Sequence, residues 1–364
     1  MQVIWKNINN YINKYPKISL IISLLFLFCV PYISVVNDYI LHIFIMIMLY
    51  IILALGLNIV VGFTGLLDLG YVGFYGIGAY TTGLLTVKFI GADSFSFLGN
   101  FWLLIILSII HGALWGILLG APTLRLRGDY FAIVTFGFSE LVILIITNEV
   151  WLTNGPRGVP GILPPMIGNY MFISKTPFYY LIFILLIIVV YLVSRFQKSY
   201  LGRAWFAIRE DEIAAESMGI NIMKYKIYAF ALSASIASLG GAFYARWMTF
   251  IGPKMFQFWE SVIILCMVVL GGMGSIYGVI AGAFVLTSLG EILREILFRL
   301  GLPAESRYLF FGIVMIVIMR YRPEGIWPTQ GVKGEMHPDS IKNLEHEEES
   351  YFDERDTGAK NKWE

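Results

Sequence analysis

The chain has 364 residues, of which 58% are hydrophobic and only 14% are charged, and its mean hydropathy is +0.73. A soluble domain carries roughly a quarter charged residues, so this composition excludes a soluble globular protein and indicates an integral membrane protein. The net charge of +1 and the lack of a basic run interleaved with aromatic residues give no support for a nucleic-acid partner.

The apolar segments predict an all-α, polytopic membrane helix bundle. Residues 1–17 carry lysines and no acidic residue, and residues 18–36 are apolar enough to span a bilayer of about 30 Å. No small-residue cleavage site follows, so we expect a retained first span. The other predicted spans, which bring the total to about ten, lie at 39–61, 65–88, 101–122, 130–150, 177–195, 228–249, 259–275, 277–297 and 307–320.

The distribution of basic residues predicts the orientation of this bundle. If the N-terminus is cytoplasmic, the inner loops collect more lysine and arginine than the outer loops do. Both termini then lie in the cytoplasm, together with a long charged interval at 195–226. The predicted parts are a cytoplasmic segment 1–17, a transmembrane domain 18–328 and a polar, disordered cytoplasmic tail 329–364.

Small residues recur at intervals of four in three predicted spans. Such stripes let two helix backbones approach closely, which predicts tight helix packing without ligand contact. The stripes are Gly112, Gly116 and Gly120; Gly274, Gly278 and Gly282; and Ser233, Ala237 and Gly241.

The predicted third span is a poor membrane helix, because Asp68 lies among several glycines between residues 65 and 83. Each glycine inside a helix costs up to about 1 kcal/mol, and an aspartate at mid-membrane costs about 2.5–3.5 kcal/mol. We therefore expect a discontinuous helix around residues 62–70, with its irregular backbone buried in protein or lining a wet cavity.

A second acidic residue, Glu140, is predicted at membrane depth. It fits either a bundle partner such as a lysine, arginine or hydroxyl, or a role in substrate movement or gating. The candidate residues of a translocation path are Asp68, Gly70, Tyr71, Tyr80 and Glu140. Further along the chain, the glycine- and proline-rich segment 151–165 predicts a rigid outer loop that covers a pore or receives an external protein.

The interval 195–226 predicts a compact amphipathic knob of one or two short helices within 202–218. Asp211 is the expected N-cap of a helix, and Gly219 is its expected C-terminal cap. Such a knob suits docking to a soluble partner, although an ordinary charged cytoplasmic loop is the simpler interpretation. We expect it to expose Arg209, Glu210, Glu212 and Glu216 and to keep Ile208, Ile213 and Met218 for contact.

Catalytic and metal-binding motifs are missing from the sequence. It contains no GxxxxGK[ST], HExxH or GxSxG, and LGGMGS at 270–275 lacks the lysine that would reach a nucleotide. His337 and His346 are too isolated for a metal site, and Cys29 and Cys266 lie in apolar runs. We expect no catalysis, no bound cofactor and no metal on this chain.

Six sequence blocks follow one another along the chain: LGLNIVVGFTGLLDLGYVGFYGIGAYTTGLL (55–85), LRLRGDYFAIVTFGFSE (124–140), TNGPRGVPGI (153–162), GRAWFAIREDEIAAESMGIN (202–221), VVLGGMGSIYGVIAGAFVL (268–286) and YRPEGIWP (321–328). In this order, from about residue 45 to 328, the chain resembles permease subunits of bacterial branched-chain amino acid ABC importers. The coupling loop of ABC importers carries Glu-Ala-Ala, three residues, then Gly; here Ala214, Ala215 and Gly219 fit, Glu212 is one place early, and Ile213 holds the glutamate position.

The resemblance implies a multi-pass subunit of the bacterial inner membrane that pairs with a second, different permease. It also implies two cytoplasmic ATPases that use ATP and Mg, an extracytoplasmic binding protein that delivers leucine, isoleucine or valine, and alternating access through the membrane. The coupling-loop residues implied are Arg209, Glu210, Asp211, Glu212, Ala214, Ala215 and Gly219.

Other functions also fit the sequence. Permeases for urea and short amides share the same blocks, so the substrate is open between these and branched-chain amino acids. A different class, an ion-coupled secondary transporter or channel, would use Asp68 and Glu140 as proton or cation carriers. A non-transporting membrane scaffold would need neither acid.

Overall fold

The computed structural model describes residues 31, 37–89, 101–123, 129–167, 170–301, 303, 306–321 and 325–327. The predicted segment 1–17, nearly all of the first span at 18–36 and the tail at 329–364 lie outside the described residues.

The described chain is a bundle of α-helices, as the apolar runs predict. Two helices continue as π-helical turns, α1 over Ile59–Phe63 and α2 over Leu85–Phe89. The helices are α1 Asp38–Asn58, α2 Tyr71–Leu84, α3 Phe101–Thr123, α4 Asp129–Asn148, α5 Val150–Thr153, α6 Lys175–Lys198, α7 Tyr200–Glu210, α8 Glu212–Ser217, α9 Ile222–Met248, α10 Phe258–Gly271, α11 Ile276–Arg299 and α12 Ser306–Tyr321.

Seven described helical segments are long and apolar enough to cross a membrane, which confirms a polytopic bundle. The helix α12 has 16 residues and is shorter than a full span, and α2 has 14 residues, or 19 with the five of its π-helical turn, but is not among the seven. Ten spans and two cytoplasmic termini therefore stay predictions. The seven segments are Asp38–Phe63, Phe101–Thr123, Tyr130–Asn148, Lys175–Lys198, Ile222–Met248, Pro253–Gly271 and Ile276–Arg299.

Glycines and small residues of the predicted stripes are used for close helix packing, except Gly274, which lies in the turn before α11 with φ +85°. A side chain at Gly112 of α3 would overlap the Ser238 hydroxyl of α9, and one at Gly116 would lie 2.8 Å from the Ala234 methyl group. A Cβ added at Gly282 of α11 would overlap the backbone carbonyl oxygen of Met267 in α10. Because helices must approach within backbone contact here, any side chain larger than hydrogen would push them apart.

The two ends of the bundle are built differently. At one end, α7 and α8 pack beside the C-terminal end of α1; we call this the coupling end. At the opposite end, the segment 151–165 folds as α5, the 3₁₀ turn Gly155–Arg157 and the strand β1 Val159–Pro160. Strand β1 pairs antiparallel with β4 Phe250–Ile251, and Asn154 takes a left-handed conformation with φ 64°. The predicted rigid loop is thus tied to the C-terminal end of α9.

A second two-residue ladder lies in the same region. Strand β2, Met166–Ile167, pairs antiparallel with β3, Tyr170–Met171. The Arg246 guanidinium of α9 donates to the carbonyl of Leu163 over 2.9 Å, so this loop also contacts α9 through a buried cation.

Candidate functional site

The charged interval folds as two short helices, α7 and α8, between the long helices α6 and α9. The predicted boundaries of 195–226 are too wide, because α6 continues to Lys198 and α9 begins at Ile222. Regular helices continue past the membrane-spanning part, since polar residues do not interrupt backbone hydrogen bonding. The connection itself is therefore residues 199–221.

Asp211 begins α8, as predicted. Its carboxylate accepts hydrogen bonds from the backbone N–H groups of Ile213 and Ala214, over 2.7 and 3.0 Å. These N–H groups belong to the first helical turn, which has no partner within the helix. The side chain that looks like a surface charge in the sequence thus fixes the start of a helix.

Gly219 ends α8, also as predicted. Its φ of +85° lies in the left-handed region, which only glycine adopts without strain. The N–H of Gly219 donates to Glu216, and that of Ile220 donates to Ala215, so the last carbonyls of the helix are paired. Residues 211–219 of the implied coupling loop therefore form one complete short helix with both caps, whereas Arg209 and Glu210 end α7.

The helix α7 is anchored by aromatic packing against the end of α1. Trp205 is fully buried, and its indole N–H donates to the Tyr225 carbonyl over 2.8 Å. The Trp205 ring stacks on the Phe63 ring with centroids 6.3 Å apart, and the Phe206 ring lies 5.3 Å from the Phe63 ring. Ile208 is buried as predicted. This packing joins the connection rigidly to α1.

Arg209 is not an exposed residue of the knob, contrary to the prediction. It is half-buried, and its Nη1 donates to the backbone carbonyl of Gly62 over 2.7 Å. Its side chain also lies against Gly65 and Gly274, where an added Cβ would be 3.1 Å away. The carbonyls at the C-terminal end of α1 lack helical partners and carry partial negative charge, which attracts this guanidinium.

Glu212 also differs from the prediction, since it is bound instead of free. Its carboxylate forms an ion pair with Lys226 of α9, whose side chain is only 2% exposed. A buried ammonium group is costly without a counter-charge, so this pair is the reason that Glu212 turns inward. Lys226 was missed as a site residue because a basic residue at the edge of a span resembles an ordinary inner-loop charge.

The exposed part of this connection combines acidic and apolar residues. Ile213 and Met218 are 67% and 84% exposed, so the expectation that they pack inward is wrong. A six-residue helix has only one buried face, and Ala215 occupies it. The exposed residues between 210 and 219 form what we call the coupling surface: Glu210, Asp211, Ile213, Ala214, Glu216, Ser217, Met218 and Gly219.

The predicted break before the third span is present. The π-helical end of α1 stops at Phe63, α2 begins at Tyr71, and the link between them is irregular. Asp68 is 1% exposed, and its Oδ1 accepts from the N–H of Gly70 over 2.8 Å. Its Oδ2 has no hydrogen-bond partner among the described residues. The carboxylate thus stabilises a buried turn, as expected for non-helical backbone inside a membrane protein.

The neighbouring candidates Gly70 and Tyr71 are packing residues in this conformation. A side chain at Gly70 would overlap the Thr135 carbonyl of α4. Tyr71 is fully buried, and its hydroxyl has no partner among the described residues. Tyr80 is 4% exposed and lies edge-on to Phe256, with ring centroids 5.9 Å apart.

Glu140 has the opposite environment. It is exposed and makes no hydrogen bond or ion pair with any described residue. The surrounding surface of α4 is apolar and open: Ile133 and Leu144 are 63% and 55% exposed, and a Cβ at Gly137 would meet nothing within 4 Å. A bundle partner for Glu140, one of the two predicted alternatives, is therefore not found within the described part of the chain.

The five path candidates do not converge on one site. Asp68, Gly70 and Tyr71 lie at the start of α2, whereas Tyr80 is nine residues further, or about 14 Å along the helix axis. Glu140 adjoins Ser139, which packs on Gly73 of α2, but its own side chain is on the open side of α4.

Comparisons with known proteins agree with this architecture. The family described as "Branched-chain amino acid transport system / permease component" matches residues 39–319. Among curated relatives, the high-affinity branched-chain amino acid transport system permease protein LivM of Salmonella typhimurium is 40% identical over 306 residues, which cover 78% of this chain and 68% of the relative. The LivM protein of Escherichia coli is 40% identical over 304 residues, covering 77% and 68%.

A more distant relative matches over nearly its whole length. The probable branched-chain amino acid transport permease protein LivM of Methanocaldococcus jannaschii is 29% identical over 320 residues, covering 78% of this chain and 92% of the relative. No solved structure matches the chain significantly. The matched region covers the long helices of the bundle, apart from the first residue of α1 and the last two of α12, together with α7 and α8, and the chain belongs to the family of permease components of branched-chain amino acid transport systems.

Proposed function

We propose that this chain is the transmembrane permease subunit of an ABC importer that moves leucine, isoleucine and valine across the bacterial inner membrane. The observation that carries the proposal is the family match over residues 39–319, which includes the helical connection 199–221. Because no nucleotide-binding loop occurs in the sequence, ATP and Mg are used by partner ATPases.

The coupling surface is the proposed ATPase contact. Its exposed Ile213 and Met218 offer apolar anchors, and Glu210 and Glu216 offer charges for a basic rim on the partner. Support for a mechanical role comes from the inward contacts of the same connection. Arg209 holds the end of α1, and Glu212 holds the start of α9, so a displacement by the ATPases would reach two central helices.

The open face of α4 is the proposed contact with the second permease, and Glu140 is the proposed path residue on it. A carboxylate facing lipid at mid-membrane would cost about 2.5–3.5 kcal/mol. This cost is removed if the face is covered by the second permease or lines a water-filled path between the two permeases. The buried residues would then support the path by fixing α2: Gly70 packs against Thr135 of α4, Asp68 stabilises the turn before Tyr71, and Tyr80 packs on Phe256.

The choice of substrate rests on the relatives. Three of them carry branched-chain amino acid transport in their names, and we assign the same substrate class here, delivered by an extracytoplasmic binding protein. No described contact favours urea or short amides.

Copurification followed by transport tests this proposal. The chain is purified through a C-terminal tag after gentle solubilisation, its partners are identified by mass spectrometry, and the complex is reconstituted for uptake of leucine against urea. We expect two ATPases, a second permease and ATP-dependent uptake of leucine. Recovery of the chain alone, with transport that follows a proton or sodium gradient, would instead establish an ion-coupled transporter.

A further inference from the structure

Residues 272–275 form the turn between α10 and α11, which we call the α10–α11 turn, and it lies at the coupling end beside Arg209. It completes the LGGMGS sequence that lacks the lysine of a nucleotide-binding loop. Gly274 has a φ of +85° and is buried. Both its N–H and its carbonyl group therefore need hydrogen-bond partners, and both partners are side chains of distant helices.

The first partner is Asn58, the last residue of α1, which is fully buried. Its side-chain Oδ1 accepts from the Gly274 N–H over 2.9 Å, across 216 positions of the chain. The second partner is Gln197, in the last turn of α6. Its Nε2 donates to the Gly274 carbonyl over 3.1 Å, across 77 positions. Through these two bonds, the α10–α11 turn is held by the ends of α1 and α6.

Two glycines give these side chains access to the turn. A Cβ at Gly62 would overlap the Asn58 Oδ1 atom, and a Cβ at Gly274 would lie 3.1 Å both from Arg209 Nη1 and from the Gly62 carbonyl oxygen. Arg209 donates to that same carbonyl. Asn58, Gly62, Gln197, Arg209 and Gly274 are thus one contiguous set of contacts, which we call the turn clamp.

The other side of the turn is bonded to the segment that follows α12. The N–H of Ile326 donates to the carbonyl of Leu270 over 2.8 Å, and the N–H of Trp327 donates to that of Gly271 over 3.0 Å. Both acceptors belong to the last turn of α10. A displacement of the turn would therefore act on α10, on α11 and on the chain that leaves α12.

The Asn58 amide does more than fill space. Its Nδ2 is buried and has no hydrogen-bond partner among the described residues, and an unpaired buried donor is destabilising. A leucine of similar volume would fill the same space without such a donor. The bond from Oδ1 to Gly274 is therefore what the amide contributes, and this bond leads from α1 to the α10–α11 turn.

We propose that Asn58 and Gln197 are positioning residues for coupling, which make the α10–α11 turn follow the movements of the connection 199–221. This inference rests on the proposed function as an importer subunit. Gln197 lies two residues before that connection and Arg209 lies within it, and both contact Gly274. A displacement of the coupling surface by the ATPases shifts these two side chains together, so α10 and α11 move with the end of α1.

Hydrogen–deuterium exchange of the full complex in nanodiscs tests this transmission directly. The exchange rate of segment 270–278 is measured with and without Mg and the non-hydrolysable ATP analogue AMP-PNP. We expect the nucleotide to change this rate severalfold in the unmodified complex. Gln197→Met keeps the side-chain length, removes the donor and should lose most of this response. Lys198→Met, at an exposed neighbour on the same helix, is the matched control and should keep it. A turn that does not respond to nucleotide in the unmodified complex would overturn the proposal.

The number of leucine molecules transported per ATP hydrolysed separates positioning from packing. We expect Gln197→Met and Asn58→Leu each to lower this ratio by about fivefold, as for the loss of one neutral hydrogen bond. Gln197→Lys supplies a new donor and should retain the ratio. A purely structural role would lower the folded fraction, which thermal melting measures, and leave the ratio of the folded complex unchanged. Equal ratios for Gln197→Met and Gln197→Lys, whether normal or lowered, would refute the role of the hydrogen bond.

A double variant tests whether the residues of the clamp act as one unit. Gln197→Met combined with Arg209→Ala should lower the ratio by less than the product of the two single effects, because contacts that share Gly274 are not independent. A full product would show two separate contacts and overturn the clamp. If the unmodified complex transports no leucine, the proposed function fails; if it transports leucine and every clamp variant does so normally, only this inference fails.

Discussion

The guanidinium of Arg209, in the connection between α6 and α9, is bound to the carbonyl of Gly62 at the end of α1, over 2.7 Å. The two residues are 147 positions apart in the chain. Through this bond, a residue of the connection holds the end of α1, a helix that is largely buried inside the bundle. In a permease that receives its driving force from ATPases, such a contact would carry motion from the coupling surface into the bundle.

Arg209→Ala is expected to lower ATP-driven leucine uptake by about tenfold, because a hydrogen bond to a charged group contributes about 1.5–3 kcal/mol. The measurement is uptake and ATP hydrolysis by the reconstituted complex. Arg203→Ala is the matched control, since Arg203 is exposed on the same helix. If both variants transport equally well, the bond to Gly62 has no part in coupling.

Glu212→Gln is expected to destabilise the protein, because it leaves the ammonium group of Lys226 buried without a counter-charge. The loss of unfolding free energy should exceed the about 0–1 kcal/mol of an exposed pair and stay below the about 3–5 kcal/mol of a buried pair, because the Glu212 side chain is 32% exposed. Thermal melting in detergent measures it. The double variant Glu212→Gln with Lys226→Met should regain much of the loss, whereas an additive further loss would show that the pair is not the cause.

Gly112→Ala is expected to destabilise the bundle by about 1–3 kcal/mol through overpacking, because the new methyl group would overlap Ser238 of α9. Gly137→Ala is the matched comparison. Its methyl group meets nothing within 4 Å, and alanine favours a helix over glycine by up to about 1 kcal/mol. Unfolding of both variants in the same detergent checks the difference, and equal stability would contradict the close packing of α3 on α9.

Glu140→Leu is expected to leave the stability of the isolated chain within about 0.5 kcal/mol, as for an ordinary surface substitution, and to lower leucine uptake severalfold. Its carboxylate has no partner among the described residues, so its role requires the assembled importer. Glu295→Leu, exposed on α11, is the control. If the Glu140→Leu variant shows normal uptake and still copurifies with the second permease, the proposed role of α4 in the path is refuted.

Local features of the coupling connection could be predicted from the sequence, and long-range features could not. The caps Asp211 and Gly219 depend on backbone groups within a few residues. The inward turn of Arg209 and Glu212 depends on Gly62 and Lys226, which are brought near only by the packing of α1 and α9.

The same limit applies to the acidic residues at membrane depth. Asp68 and Glu140 look alike in a hydropathy profile, yet one is 1% exposed inside a turn and the other is exposed on a helix face. The glycines before α2 predict the break that encloses Asp68. Nothing in the spacing of α4 shows which of its faces is uncovered, because several faces are apolar.

The helix α9 has a buried cation near each end. Lys226 and Arg246 are each 2% exposed, and each is held by oxygen atoms of a connecting segment: the Glu212 carboxylate at the coupling end and the Leu163 carbonyl at the other. Twenty residues of α-helix separate them by about 30 Å. Binding events at the two surfaces of the membrane would thus act on one stiff element. If the proposed binding protein docks at one end and the proposed ATPases at the other, thermodynamic reciprocity requires any effect of the nucleotide on the affinity for the binding protein to be matched by an equal effect of the binding protein on the affinity for the nucleotide.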